Sequence, residues 1–171
     1  MNSKEIKNYL KENKIDTTKL SIKKQGCGYS ESFNITLKDV NIDIELVKNL
    51  VKKYETVDRD ERTGEILQGG NTYIFVDYDY SIISEVNKEY NPKVLEKLYN
   101  ELLTKTKEEQ EAFRNGEINP ILTLANKIIC YKDGKSLMVR DCEKNETRRS
   151  GETYLAETLI RMGILKKVLG K

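Results

Sequence analysis

Acidic residues crowd one stretch of the chain, where Asp58, Asp60, Glu61 and Glu65 fall within VDRDERTGEIL. Alternate carboxylates on an extended segment can converge on a hard cation such as magnesium, which takes oxygen ligands and supports phosphodiester hydrolysis. Nucleases of that kind draw their ligands from separated strands and helices. These four are close neighbours in one loop, beside Arg59 and Arg62, so the expectation is a solvated loop with internal ion pairs. Magnesium enters only under an alternative nuclease reading, and no catalytic residue is assigned beyond these four candidates. The loop also lacks the glycine at position six and the closing glutamate of an EF-hand.

Histidine is absent, which removes the commonest general base and metal ligand and makes serine-histidine and cysteine-histidine hydrolase arrangements inaccessible. The balance of features favours a non-enzymatic protein. Gly69-Gly70-Asn71 can expose backbone N–H groups to an anion, yet it lacks the Lys-Ser/Thr of a P-loop and precedes a strand; a turn or bulge is expected there. Arg140, Lys144, Arg148 and Arg149 gather ahead of the last helix and are the candidate nucleic-acid contacts, with a basic cap on a solvated loop as the alternative. Asp77, Tyr78, Asp79 and Tyr80 form an acidic, aromatic run that suits a protein partner, since tyrosine supplies contact area at low entropic cost. Core packing explains Tyr73 at least as well as partner contact, so Tyr78 and Tyr80 carry the aromatic part of this reading. Cys27, between glycines, is read as accessible but not activated by any neighbour in sequence.

Charge alternates in blocks. Residues 1–54 carry 11 basic and 7 acidic groups, 55–80 carry 2 and 7, 81–117 carry 6 and 8, and 118–171 carry 11 and 6. Basic ends around an acidic middle match neither a uniformly basic nucleic-acid binder nor a uniformly acidic mimic of DNA. Charged residues make up 34% of the 171 residues against 37% hydrophobic, so the core is modest, but apolar periodicity recurs throughout and argues for a folded chain. No apolar run is long enough to cross a membrane, and residues 1–14 lack the apolar run of a signal peptide; a cytoplasmic location is expected. Three widely spaced cysteines, Cys27, Cys130 and Cys142, favour reduced thiols over a disulfide or zinc framework.

These groups must be positioned by an α+β fold. Ile6, Tyr9 and Leu10 predict a first helix behind Ser3, ending about Asn13. Leu20 and Ile22, then Phe33, Ile35 and Leu37, alternate as strands joined by Gly26-Cys27-Gly28. Ile44, Val47, Leu50, Val51 and Tyr54 give a second helix capped by Asp43. Residues 72–76, apolar on both faces, read as a strand buried on two sides or one flanked by other elements, completing an α-β-β-α-β domain over 1–90 with an antiparallel sheet. A long helix starting at Asn91-Pro92 follows, polar towards its end and stopped by Asn115-Gly116. Segments 127–132 and 135–141 flank Asp133-Gly134 as a hairpin. A last helix carries Leu155, Leu159, Met162, Leu165 and Leu169, with Gly163 as an interruption. This helix, hairpin and helix form an extension over 91–171.

Residues 54–76, YETVDRDERTGEILQGGNTYIFV, follow VKKYE and contain the DRDERTGEI run and GGNTY in that order. With the preceding hairpin and second helix, the segment 19–80 resembles the large polyvalent protein-associated domain of type twenty-nine. Such domains occur in multidomain proteins of phages and conjugative elements that accompany or protect invading DNA. The resemblance implies an α+β fold and a mobile-element origin, and it supplies no catalytic residues. A small protein of this origin is expected to act on the host, and inhibition of a defence nuclease, as anti-CRISPR proteins do, ranks first. The expected partner is a bacterial defence effector such as a Cas nuclease with its guide RNA. Direct binding of RNA or DNA and a magnesium-dependent nuclease acting on guide RNA or DNA are the alternatives.

Overall fold

The computed structural model describes residues 1–67, 69–117 and 120–170, apart from the side chain of Cys27. Two compact units divide between Ile82 and Ile83.

In the first unit, α1 (Ser3–Glu12) buries Ile6 and Leu10. Its cap is Asn2, one residue before the serine predicted, because a reciprocal capping box links Asn2 to Glu5 and satisfies two otherwise orphaned N–H groups. β1 (Leu20–Cys27) and β2 (Ser30–Leu37) pair antiparallel from Leu20↔Leu37 to Cys27↔Ser30. Gly26 and Cys27 therefore belong to the strand, and the turn is Gly28 and Tyr29. α2 (Ile44–Val51), capped by Asp43, buries Ile44, Val47 and Val51. Tyr9 meets Tyr54 edge to face at 5.6 Å. The Lys53 ammonium sits 3.1 Å above the Tyr9 ring centre, a cation–π contact that ties α1 to the turn after α2.

β3 (Thr72–Tyr78) joins β2 with the register Glu31↔Thr72 to Leu37↔Tyr78, and the pairing is parallel. The α+β class and the α-β-β-α-β order hold, but the sheet is mixed: β1 and β2 are antiparallel, and β3 enters through a helical crossover, the connection that parallel strands need. The order β1-β2-β3 leaves β3 at an edge. Phe33, Ile35 and Leu37 are buried on the face that also carries Ile74, Val76 and Tyr78 in register. Lys23, Asn34, Tyr73, Phe75 and Asp77 occupy the other face. Of the two sequence readings of β3, burial on both sides fails, since Phe75 remains 55% exposed.

Helix α3 (Tyr80–Leu103), all but its first three residues in the second unit, starts eleven residues ahead of the predicted Asn91 and carries Pro92 inside it. The start is fixed by Asp79, whose carboxylate accepts from the Ser81 N–H at 3.0 Å and hydroxyl at 2.7 Å. Ile83, Val86, Val94, Leu98 and Leu102 carry the buried stripe through the proline. Helix α3 ends at Leu103, and a second capping box between Thr106 and Glu109 opens α4 (Lys107–Asn115), which buries Phe113 and ends on Gly116. The single long helix predicted is thus two. A four-stranded antiparallel sheet follows in the order β4 (Leu122–Ala125), β5 (Ile128–Asp133), β6 (Ser136–Asp141), β7 (Glu146–Ser150). β5 and β6 are the predicted hairpin, turning at Gly134 and Lys135; β4 and β7 extend it. α5 (Leu155–Arg161) and α6 (Leu165–Leu169) close the chain, broken at Gly163, where φ is 69°. No helix among the described residues is long and apolar enough to cross a membrane.

Candidate functional site

The acidic segment is a small hairpin. Arg59 and Ile66 form an antiparallel bridge, the Asp60 N–H donates to the Glu65 carbonyl at 2.8 Å, and the Leu67 N–H donates to the Asp58 carbonyl at 3.0 Å. At its turn the Asp60 carboxylate accepts from the Arg62 and Thr63 N–H groups at 2.9 and 2.8 Å. The Thr63 and Arg62 amides hold that carboxyl below the usual aspartate range, because they stabilise its charged form. Asp60 thus serves its own turn, and Asp58, Asp60, Glu61 and Glu65 are not gathered into a group that could hold a metal ion; none exists among the described residues. Arg59 engages backbone, its guanidinium donating to the Gly64 carbonyl at 3.0 Å.

Asn71 anchors this hairpin. Its side chain is 2% exposed, accepts from the Asp58 N–H at 2.8 Å and donates to the Leu67 carbonyl at 2.8 Å, so it staples both arms to the start of β3. Gly69 and Gly70 have φ of 94° and 72°, and the Gly70 N–H donates to the Tyr29 carbonyl at 2.9 Å. The turn expected here holds, and the Gly70 amide is used internally.

On β3 the period of two decides which aromatic rings meet solvent. Tyr78, read as a partner contact, is 6% exposed and donates its hydroxyl to the Ile42 carbonyl at 2.7 Å. Burial pushes its phenol up to about 12. Tyr73, for which core packing and partner contact are both open in the sequence, stands on the outward face and stacks on Phe75, with ring centres 6.4 Å apart and planes 14° from parallel. Asp77 follows on that face and is exposed. Asp79 is occupied with Ser81, while Tyr80 is 84% exposed. The outward face of β3 is therefore Tyr73, Phe75 and Asp77, and Tyr80 is exposed at the start of α3. Sequence reading missed Phe75, although its two-residue spacing from Asp77 marks it as facing outward.

The basic candidates separate similarly. Arg140 stands opposite Thr147 and Met138 opposite Arg149, which places Arg140 and Arg149 diagonally across one sheet face, within reach of a common ligand. Arg148 lies on the opposite face, opposite Val139, and pairs with Glu146 at 2.6 Å. Arg148 and Arg149 belong to β7 rather than to a loop. Lys144 is in the turn after β6 and donates to the Met162 carbonyl at 3.3 Å, and Arg140 donates to the Asn145 side chain at 2.9 Å. Of the thiols, Cys130 is buried and its pKa is pushed up by desolvation, and Cys142 is exposed. The predicted accessibility of Cys27 falls on a side chain outside the described residues.

Comparison of the chain with protein-family models, with curated proteins and with solved structures finds no match.

Proposed function

We propose that this protein is a non-enzymatic inhibitor carried by a phage or plasmid, acting in the cytoplasm of a bacterial host by docking on a defence effector, foremost a Cas nuclease with its guide RNA. The observation that carries the reading is the solvent face of β3, where the Tyr73–Phe75 stack adjoins Asp77. Paired rings beside a carboxylate combine apolar contact with an acidic group that complements a basic nucleic-acid channel. The acidic 58–67 hairpin, held to the start of β3 through Asn71, adds further negative charge. The resemblance of 19–80 to a domain of mobile elements supports the same direction.

Affinity capture from a bacterial lysate tests this reading. A defence effector is expected among the captured proteins and is expected to be lost with Asp77→Lys and Phe75→Ala; a capture without any effector would remove the reading. A second reading, direct nucleic-acid binding, is favoured by Arg140 and Arg149 sharing one face of the second sheet. A gel shift of RNA by the protein alone, falling steeply with salt and weakened by Arg149→Ala but not Arg148→Ala, would replace the docking reading with that one.

A further inference from the structure

β3 is an edge strand whose outer side is only begun. In its parallel pairing with β2, the Glu31 N–H donates to the Asn71 carbonyl at 2.9 Å and the Asp79 N–H donates to the Leu37 carbonyl at 2.7 Å. Backbone groups alternate in direction along a strand, so Tyr73, Phe75 and Asp77 turn theirs to β2, while Thr72, Ile74 and Val76 turn theirs outward. Thr72 uses its outward pair: its N–H donates to the Thr56 carbonyl at 2.7 Å, and the Thr56 N–H donates back at 3.0 Å. The chain leaving α2 joins the ladder only at Thr56. Beside Ile74 and Val76 no strand is present among the described residues. A groove of about 500 Å³ lies there instead, between that edge and the Lys48, Val51, Lys52 and Glu55 wall.

We propose that this groove is a strand-addition site, in which a short extended segment of a partner protein pairs with the Ile74 and Val76 backbone. The slot borders the outward face of β3 on which the inhibitor reading rests and shares Phe75 and Asp77 with it, but what it recognises is the backbone of the strand edge. Unpaired N–H and C=O groups at alternate residues are complementary to an extended backbone, the recognition used in β-augmentation. The segment continues the ladder that Thr56 and Thr72 begin. Its side chains point alternately to the two sheet faces, one set beside exposed Phe75 and the other towards α2. On the α2 wall Glu45 engages Lys48 at 2.9 Å, while neither Lys52 nor Glu55 has an ion pair among the described residues; an acidic side chain set beside Lys52, away from Glu55, gains a partner there, and an apolar one suits the place beside Phe75.

A second copy of this chain fits poorly. In any antiparallel register that pairs both Ile74 and Val76 with another β3, the copy continues without a turn, as strand or as α3, into the position that Thr56 fills. A short segment that ends or turns at that point avoids the collision.

The probe is a seven-residue peptide alternating valine and threonine with a central aspartate in place of threonine, titrated into the full, isotopically labelled chain. The Ile74 and Val76 amide resonances are expected to shift, and their hydrogen exchange is expected to slow by about tenfold or more at saturation. The same peptide N-methylated at the amides on its pairing edge keeps its side chains and is expected to bind about tenfold more weakly or not at all. Lys52→Glu is expected to weaken the aspartate peptide and to favour its lysine counterpart. Unchanged exchange at Ile74 and Val76, equal binding of the N-methylated peptide, or a dimer in sedimentation that protects the same two amides without peptide would each overturn the proposal.

Discussion

The Tyr78 hydroxyl donates to the carbonyl of Ile42 at 2.7 Å, closing the end of β3 onto the segment that leads into α2. With 6% exposure, the phenol cannot exchange this partner for water. Tyr78→Phe keeps the ring and leaves the Ile42 carbonyl unpaired, which is expected to cost about 1–2 kcal/mol in urea unfolding at neutral pH. The same burial raises the phenol from its ordinary value of 10.0 to about 12. The folded state therefore holds a proton that the unfolded chain releases earlier. This contribution is complete below pH 10 and is lost as pH rises through about 12. Alkaline unfolding of Tyr78→Phe is expected to be correspondingly shallower than that of the parent, although Tyr99, also raised to about 12 by its hydrogen bond to Glu152, leaves part of the slope in place.

Glu152 provides an acid counterpart in the second unit. Its carboxylate accepts from Lys132 at 2.8 Å and from the Tyr99 hydroxyl, and these two donors, Lys132 first, hold it below the ordinary glutamate range. A depressed carboxyl stabilises the fold above its unfolded pKa, about 4.3, and that stability is lost as pH falls through the lower folded value. Glu152→Gln leaves Lys132, whose side chain is 14% exposed, without a charge partner, at an expected cost of about 1–2 kcal/mol at pH 7. Thermal melts along a descending pH series should show the parent and the variant converging. A gap that stays constant into strong acid would rule out this linkage.

Helices α1 and α2 and the β5–β6 hairpin were legible because their signals are local. Ile6 and Leu10 repeat at helical spacing, Asp43 caps its own helix, and Gly134 supplies the left-handed turn residue. Strand orientation is not local: nothing in 72–78 distinguishes parallel from antiparallel entry, which depends on the path of the crossover through α2. Pro92 reads as a helix start because proline suits a first turn, but Asp79 captures Ser81 earlier and buried positions on both sides of the proline carry the helix through. β7 escaped notice because Glu146, Thr147, Arg148 and Arg149 lack an apolar alternation, and its pairing to β6 shows only in three dimensions. The same dependence on register decides the roles of Tyr73 and Tyr78. Their separation of five residues puts them on opposite faces, and only the pairing of Leu37 with Tyr78 reveals which face is buried.

Two glycines that look alike in sequence should respond differently. Gly134 has φ 57° in the β5–β6 turn and open space where a Cβ would stand, whereas Gly116 has φ 88° and a Cβ there would fall 2.0 Å from the Gly134 carbonyl oxygen. Gly134→Ala is expected to cost about 1–2 kcal/mol, the left-handed penalty alone. Gly116→Ala adds a collision with backbone that no rotamer change relieves, and its cost is expected to exceed about 3 kcal/mol. Equal urea midpoints for the two variants would mean that the end of α4 moves freely away from the turn.

Phe75 separates stability from binding. It is 55% exposed and its ring stacks on that of Tyr73, so Phe75→Ala removes one stacked pair, worth about 0.5–1.5 kcal/mol, and little buried area. Ile35, 1% exposed on the opposite face, gives the contrast: Ile35→Ala opens a cavity and is expected to cost about 2–5 kcal/mol. If the solvent face of β3 is the docking surface, Phe75→Ala loses the captured partner at nearly parental stability, because truncating an exposed ring removes contact area with the partner rather than within the fold. Retention of the partner by Phe75→Ala and by Tyr73→Ala would move the docking surface off this face altogether.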